Sequence, residues 1–187
     1  MTKIAIFASG SGSNAENIIK HFDKDKDVEV SLIVSNKKDA FVHERAKNLH
    51  IESATFSKSD FETTNNVLDY LKEKNIDFIV LAGFLLKVPQ NLIDAYPHKI
   101  INIHPALLPK FGGKGMYGDN VHKAVKESGD TESGITIHYI NENYDEGNII
   151  FQAKCTVEET DTYEDIAKKV HTLEYMHFPS VIEKLLK

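Results

Sequence analysis

With a single cysteine, Cys155, the chain cannot close a disulfide of its own. That fits a reducing compartment and leaves Cys155 as an ordinary strand residue. A basic excess is also lacking: 22 lysines and arginines stand against 28 acids, for a net charge of −6 and no long basic run. A large nucleic-acid footprint is thereby excluded, whereas a small anion held by local backbone donors is not. No apolar stretch approaches the length of a membrane span. Met1-Thr2-Lys3 leads directly into a short apolar strand and not into a leader-type apolar region with a cleavage site, so a soluble cytoplasmic protein without membrane partners is expected. The nine histidines form no His-Glu-x-x-His or other compact ligand pattern, and no metal is expected.

Repeats, linkers and low-complexity segments are missing as well. The 187 residues, 41% hydrophobic and 27% charged, are enough for one domain, residues 1–187, with a sizeable core. Buried strands are expected at Ile4–Ala8, Val28–Val34, Phe78–Leu81 and Ile100–Ile103, with a weaker one at Ala54–Phe56. Helices are expected between them, over Asn14–Phe22, Phe41–Asn48, a segment from Asp60 to Lys74, and a short one from Pro89 to Ala95. This alternation predicts an α/β fold: a single doubly wound, Rossmann-like domain with a mostly parallel sheet. Beyond a glycine-rich loop, Phe111–Gly118, and a helix over Asn120–Ser128, the segments Gly134–Ile140 and Ile149–Cys155 suggest an antiparallel C-terminal addition. Thr162-Tyr163-Glu164-Asp165 resembles a capping box opening a last helix, which Pro179 is expected to kink or break.

Two places carry chemistry. Gly10-Ser11-Gly12-Ser13-Asn14-Ala15 follows the first strand and opens a helix, so its backbone donors can hold an anion, or it is a plain glycine turn. The second strand ends Val34-Ser35-Asn36 without the acid that a dinucleotide ribose requires, so a phosphate monoester fits better than NAD. The second place is Asn102-Ile103-His104-Pro105. An asparagine in a buried strand is costly unless its amide finds partners or faces a ligand. Pro105 keeps His104 out of the helical region, so the strand leaves the sheet with this imidazole at the rim where open parallel sheets bind ligands. Taken alone, His104 reads more readily as a structural histidine than as a catalyst, and Asp145 in Asp145-Glu146-Gly147 as a turn residue. Together, Asn102, His104 and Asp145 suit acyl transfer, because a carboxylate beside the imidazole favours the cation and both donors can meet a developing oxyanion. His138 is a second wall of this site or a bonded core histidine. Leu85, Leu86 and Val88 either line an aromatic ligand pocket or belong to the core.

From Ile4-Ala5-Ile6-Phe7-Ala8-Ser9-Gly10-Ser11-Gly12-Ser13-Asn14 through Leu81-Ala82-Gly83-Phe84 and the block from Asn102 to Gly118, and on to the last helix, the chain resembles the phosphoribosylglycinamide formyltransferases. That resemblance implies formyl transfer from 10-formyltetrahydrofolate, as cosubstrate, to the amine of glycinamide ribonucleotide in purine (IMP) biosynthesis. It implies catalytic roles for Asn102, His104 and Asp145 at a tetrahedral intermediate, with Gly12, Ser13 and Asn14 at the substrate phosphate and Glu174 at its ribose. His171, one turn before Glu174, is expected to face the same ligand. Main-chain groups around Leu86 and Val88, adjoining Leu85, together with His138, Tyr139 and the loop from Asn141 to Asp145, match the folate pocket. Leu86 and the region of Thr64 stand where some members carry arginine, so the folate would be held through other groups, such as Lys87. Ala106 replaces a commoner serine.

Three alternatives remain. A formyltransferase for initiator methionyl-tRNA and a formyltetrahydrofolate hydrolase usually carry an extra domain that these residues do not show. A non-catalytic phosphosugar-binding module would use only the Gly12 turn.

Overall fold

The computed structural model describes residues 1–143 and 145–187. Seven strands form one sheet in the order β3-β2-β1-β4-β5-β6-β7. The parallel part comprises β1 (Thr2–Phe7), β2 (Val28–Ser35), β3 (Glu52–Thr55), β4 (Phe78–Leu81) and β5 (Ile100–His104). Strands β6 (Glu132–Tyr139) and β7 (Ile149–Thr156) join antiparallel, as the second pair of apolar segments predicted. Side chains alternate across the pleat. Ile4 and Ile6 of β1 enter one apolar cluster with helices α1 (Ser13–Phe22), α2 (Val42–Asn48), α6 (Asp119–Ser128) and α7 (Tyr163–Leu186). Ala5 and Phe7 enter a second cluster with α3 (Lys58–Thr63), α4 (Asn66–Glu73) and α5 (Gln90–Ala95) on the opposite face. With helices on both faces, the sheet is doubly wound. Its strand order reverses beside β1, between the outward run to β2 and the return to β4, and that reversal opens a crevice at the strands' carboxyl ends. Among the described residues, no helix is long and apolar enough to cross a membrane.

Two expectations need correction. The segment from Asp60 to Lys74 is two helices, because Thr64 is extended (φ −133°, ψ 173°) between α3 and α4. Thr63 Oγ1 donates to the Ser59 carbonyl and Thr64 Oγ1 to the Asp60 carbonyl, so hydroxyls close the last turn of α3 where backbone bonds would have continued it. The second correction concerns Pro179, which lies inside an unbroken α7. A helical proline strips the carbonyl four residues earlier of its N–H partner. Here that carbonyl belongs to Tyr175, and it accepts instead from Asn17 Nδ2 of α1 at 2.9 Å. The Thr162 and Asp165 capping box that opens α7 forms as the sequence predicts.

Candidate active site

A cavity of about 450 Å³ lies in this crevice, walled by the Gly10–Asn14 turn after β1, the Ala82–Leu85 segment after β4 and the Asn102–Pro105 exit of β5. The turn is built by close packing. Gly12 sits in the left-handed region (φ +72°), and a Cβ there would lie 2.4 Å from Val42 Cγ2, so only glycine lets α2 approach this far. Arg45 of α2 donates from Nε to the Ser11 carbonyl at 2.7 Å and pairs with Glu16. The Ser11 carbonyl is thereby engaged, and the turn is braced by a second helix. Asn14 Nδ2 donates to Glu174 Oε2 at 2.9 Å, and His171 Nδ1 donates to the same oxygen at 2.8 Å. Glu174 is buried, and its hydrogen bond holds His171 above the usual histidine range. Gly12, Ser13, Asn14, His171 and Glu174, all expected at one ligand, do line one cavity. At the end of β2, Asn36 accepts the Ser9 hydroxyl at 2.5 Å, so the place of a ribose-binding acid holds an amide already engaged.

The three residues proposed for chemistry also converge there. Cross-strand register puts Asn102 opposite His138, and Asn102 Nδ2 lies 3.1 Å from His138 Nε2. His138 Nδ1 is 2.9 Å from the Tyr139 carbonyl, which can only accept, so the proton sits on Nδ1 and Nε2 receives the Asn102 amide. This pairing meets the cost of placing an asparagine, itself half-buried, in a buried strand and fixes which way its amide points. His104 is likewise buried, and its Nε2–H donates to the Phe111 carbonyl at 2.7 Å. Its other nitrogen, Nδ1, faces Asp145 Oδ2 at 3.6 Å, while Asp145 Oδ1 lies 3.7 Å from His138 Nε2. Asp145 is in the left-handed conformation (φ +56°) and accepts the Gly113 N–H at 2.9 Å.

Burial pushes the Asp145 carboxyl up, but its imidazole neighbours His138 and His104 and the Gly113 N–H together hold it below the usual carboxylate range. For His104 the balance is reversed. Burial holds the imidazole below its ordinary value against the raising influence of Asp145 and the Phe111 carbonyl. The carboxylate's pull towards the cation, which the sequence suggests, is thus outweighed here by burial.

The residues matched to a folate pocket are more dispersed. Leu85 lines the cavity and is 41% exposed, and its N–H is pinned by Ser9 Oγ at 2.9 Å. Leu86 is partly buried and Val88 fully so, both in the apolar cluster beneath. His138 has no exposed surface and stands behind Asn102. Tyr139 packs edge-on against His98, and Asn141 Oδ1 accepts the Asn143 N–H. Tyr144, within the loop from Asn141 to Asp145, lies outside the described residues.

The structure adds residues that the sequence pattern does not single out. Arg45 braces the turn from another helix, and nothing local to it signals that contact. Phe111 and Gly113 act through backbone groups, invisible to side-chain chemistry. His122 lines the cavity from α6, flanked by the buried Val121 and Val125. A histidine on an otherwise apolar helix face is the only trace it leaves in the sequence. Among the described residues, no group of three or more histidines, cysteines or carboxylates could hold a metal ion.

Comparisons with known proteins bear on what this arrangement does. A model of the family described as formyl transferase matches residues 2–182. A chloroplastic phosphoribosylglycinamide formyltransferase of Arabidopsis thaliana is 44% identical over 96% of the chain, which spans 64% of that protein's length. The phosphoribosylglycinamide formyltransferase of Bacillus subtilis is 39% identical over 100% of the chain and 95% of its own. The crystal structure of glycinamide ribonucleotide transformylase 1 from Geobacillus kaustophilus superposes with a TM-score of 0.91 at 33% identity, covering 100% of both chains.

Proposed function

The chain belongs to the formyl transferase family, and within it to the phosphoribosylglycinamide formyltransferases; from that premise we propose that it transfers a formyl group from 10-formyltetrahydrofolate to the amine of glycinamide ribonucleotide, a step of purine biosynthesis. The observation that carries this reading is the meeting of Asn102, His104 and Asp145 on the same cavity as an anion-binding helix start. Residues 1–187 act as one formyltransferase domain in this reading, and a single cysteine accords with a cytoplasmic setting. A cavity of about 450 Å³ is within the usual range for small-molecule sites.

The phosphate sits on the N–H groups of the Gly12–Asn14 turn, favoured by the positive end of α1. Glu174 takes the ribose, fixed in place by Asn14 and His171. The folate side uses Leu85 and the main chain around Leu86 and Val88.

Bound 10-formyltetrahydrofolate supplies an electrophilic formyl carbon and an amine nitrogen able to leave. Asn102 directs one Nδ2–H at His138 and has the other for the formyl oxygen, on which charge gathers as the new C–N bond forms. His104 starts neutral with its proton on Nε2. Its Nδ1 takes the proton that the attacking amine sheds and becomes a cation facing the Asp145 carboxylate. The cation then returns that proton to the departing nitrogen as the old C–N bond breaks. Because the imidazolium forms together with the oxyanion, its stabilisation is greatest in the transition state.

The test is turnover of 10-formyltetrahydrofolate with and without glycinamide ribonucleotide. The reading expects tetrahydrofolate and formylated amine in equal amounts, and neither without the amine. Formate released in the absence of amine would make the protein a hydrolase. Binding of the amine without turnover would make it a phosphosugar-binding module.

A further inference from the structure

His122 stands out at the phosphate end of this cavity. It is 2% exposed and lines the cavity, yet its Nδ1 has no hydrogen-bond partner among the described residues. A buried polar nitrogen left unpaired is destabilising, so its retention calls for an explanation such as a functional role. Contacts tie His122 to the substrate turn. Its ring centroid is 6.2 Å from that of His171, His171 bonds Glu174, and Glu174 bonds Asn14, the second residue of α1. Asn14 Oδ1 is buried there without a partner as well.

We propose that His122 is the proton-accepting residue of the phosphate subsite: it is neutral in the free protein and takes a proton from solvent when a phosphate monoester dianion binds the Gly12 turn. The inference rests on the function proposed above. The groups facing His122 are His171 and Glu174 from α7, Asp119 from its own helix and His104 from β5. Burial and then His171 hold its imidazole below the usual histidine range, while Glu174 and Asp119 offset them only in part. His171 is the complementary member, already drawn towards the cation by Glu174, with Asp119 acting in the same sense against its burial. The arrival of two negative charges reverses the balance at His122, because an anion nearby favours the charged ring. Only a proton moves, from water to an imidazole nitrogen; no covalent bond changes.

The linkage has a definite sign. A ring whose affinity for protons is raised by the ligand binds that ligand most tightly where the ring is charged, so affinity falls as pH rises through the bound-state value. The slope approaches about tenfold per pH unit. The KM for glycinamide ribonucleotide should therefore climb with pH in the wild type and flatten in His122→Asn, with the KM for the formyl donor following neither trend. Calorimetric titration of glycinamide ribonucleotide at about pH 7.5, where a phosphate monoester is mostly dianionic, reads the same event in buffers of different ionisation enthalpy. The wild type should take up up to about one proton more than His122→Asn, a difference that cancels protons exchanged by the ligand itself. Should His122→Asn not fold, ring-carbon NMR of the wild-type histidines follows His122 directly, and its signal should move to the imidazolium position when ligand is added. Formyl transfer and tight binding with His122 neutral throughout would overturn this proposal and leave the functional reading standing. No binding of glycinamide ribonucleotide would overturn both.

Discussion

Replacing Gly12 with alanine tests the claim that the anion-binding turn is set by the close approach of α2. Two costs add. A left-handed backbone costs a residue with a Cβ roughly 1–2 kcal/mol. The new methyl would also lie 2.4 Å from Val42 Cγ2, 2.6 Å from its Cβ and 2.9 Å from its Cα. The last is a backbone atom, so a rotamer change cannot relieve the clash, and overpacking of this kind costs about 1–3 kcal/mol. If the turn holds its shape, Gly12→Ala should lose roughly 2–5 kcal/mol in urea unfolding, serious beside a typical total of about 5–15 kcal/mol. If the turn yields, the Ser13 and Asn14 donors shift and the KM for glycinamide ribonucleotide rises at nearly unchanged stability. Val42→Gly removes the two shorter contacts, so Gly12→Ala should cost less in a Val42→Gly background than in the wild type, whatever Val42→Gly costs by itself. A Gly12→Ala protein with wild-type stability and wild-type KM would refute the packing argument.

Three further outcomes follow from the geometry. Asn17→Leu should cost about 1 kcal/mol by freeing the Tyr175 carbonyl, and less in a Pro179→Ala background, where the new N–H takes that carbonyl; equal penalties in both backgrounds would contradict the account of α7. His138→Phe should lower kcat with smaller effects on either KM, because Asn102 loses the acceptor that aims it; the loss should stay within the roughly 10²- to 10³-fold expected for removing one such donor outright. Burial depresses both His104 and His122, so each contributes stability that is present above the unfolded value of about 6.5 and is lost as pH falls through its folded value. Urea unfolding should accordingly weaken between about pH 7 and about pH 5, by less in His122→Asn, and an identical loss in both proteins would count against a buried neutral His122.

Strand β4 was legible because Phe78-Ile79-Val80-Leu81 has no polar interruption, and β5 because Pro105 forces its exit. The same exit placed His104 at the cavity rim. Other features depend on contacts between residues remote in sequence. The break at Thr64 turns on hydroxyls competing with backbone bonds, which helical periodicity does not register. The carbonyl that Pro179 leaves without a partner in α7 is met by Asn17, 162 residues before the proline. At His104, a nearby carboxylate can be inferred from sequence, whereas the burial that opposes its influence cannot. Asp145 comes within 3.6 Å of the imidazole from a left-handed backbone position, with its carboxylate also bonded to the Gly113 N–H, and neither feature is written in the local sequence.

The central claim is that His104 and Asp145 work as one unit, the imidazole taking the amine's proton and the carboxylate holding the cation so formed. A double-mutant cycle of His104→Ala and Asp145→Asn, with folded proteins and both substrates saturating, measures that directly. Each single change should lower kcat strongly, by about 10²-fold or more for His104→Ala, and the double variant should be little worse than the more damaged single. Barriers that add in full, or a near-normal kcat in His104→Ala, would contradict it.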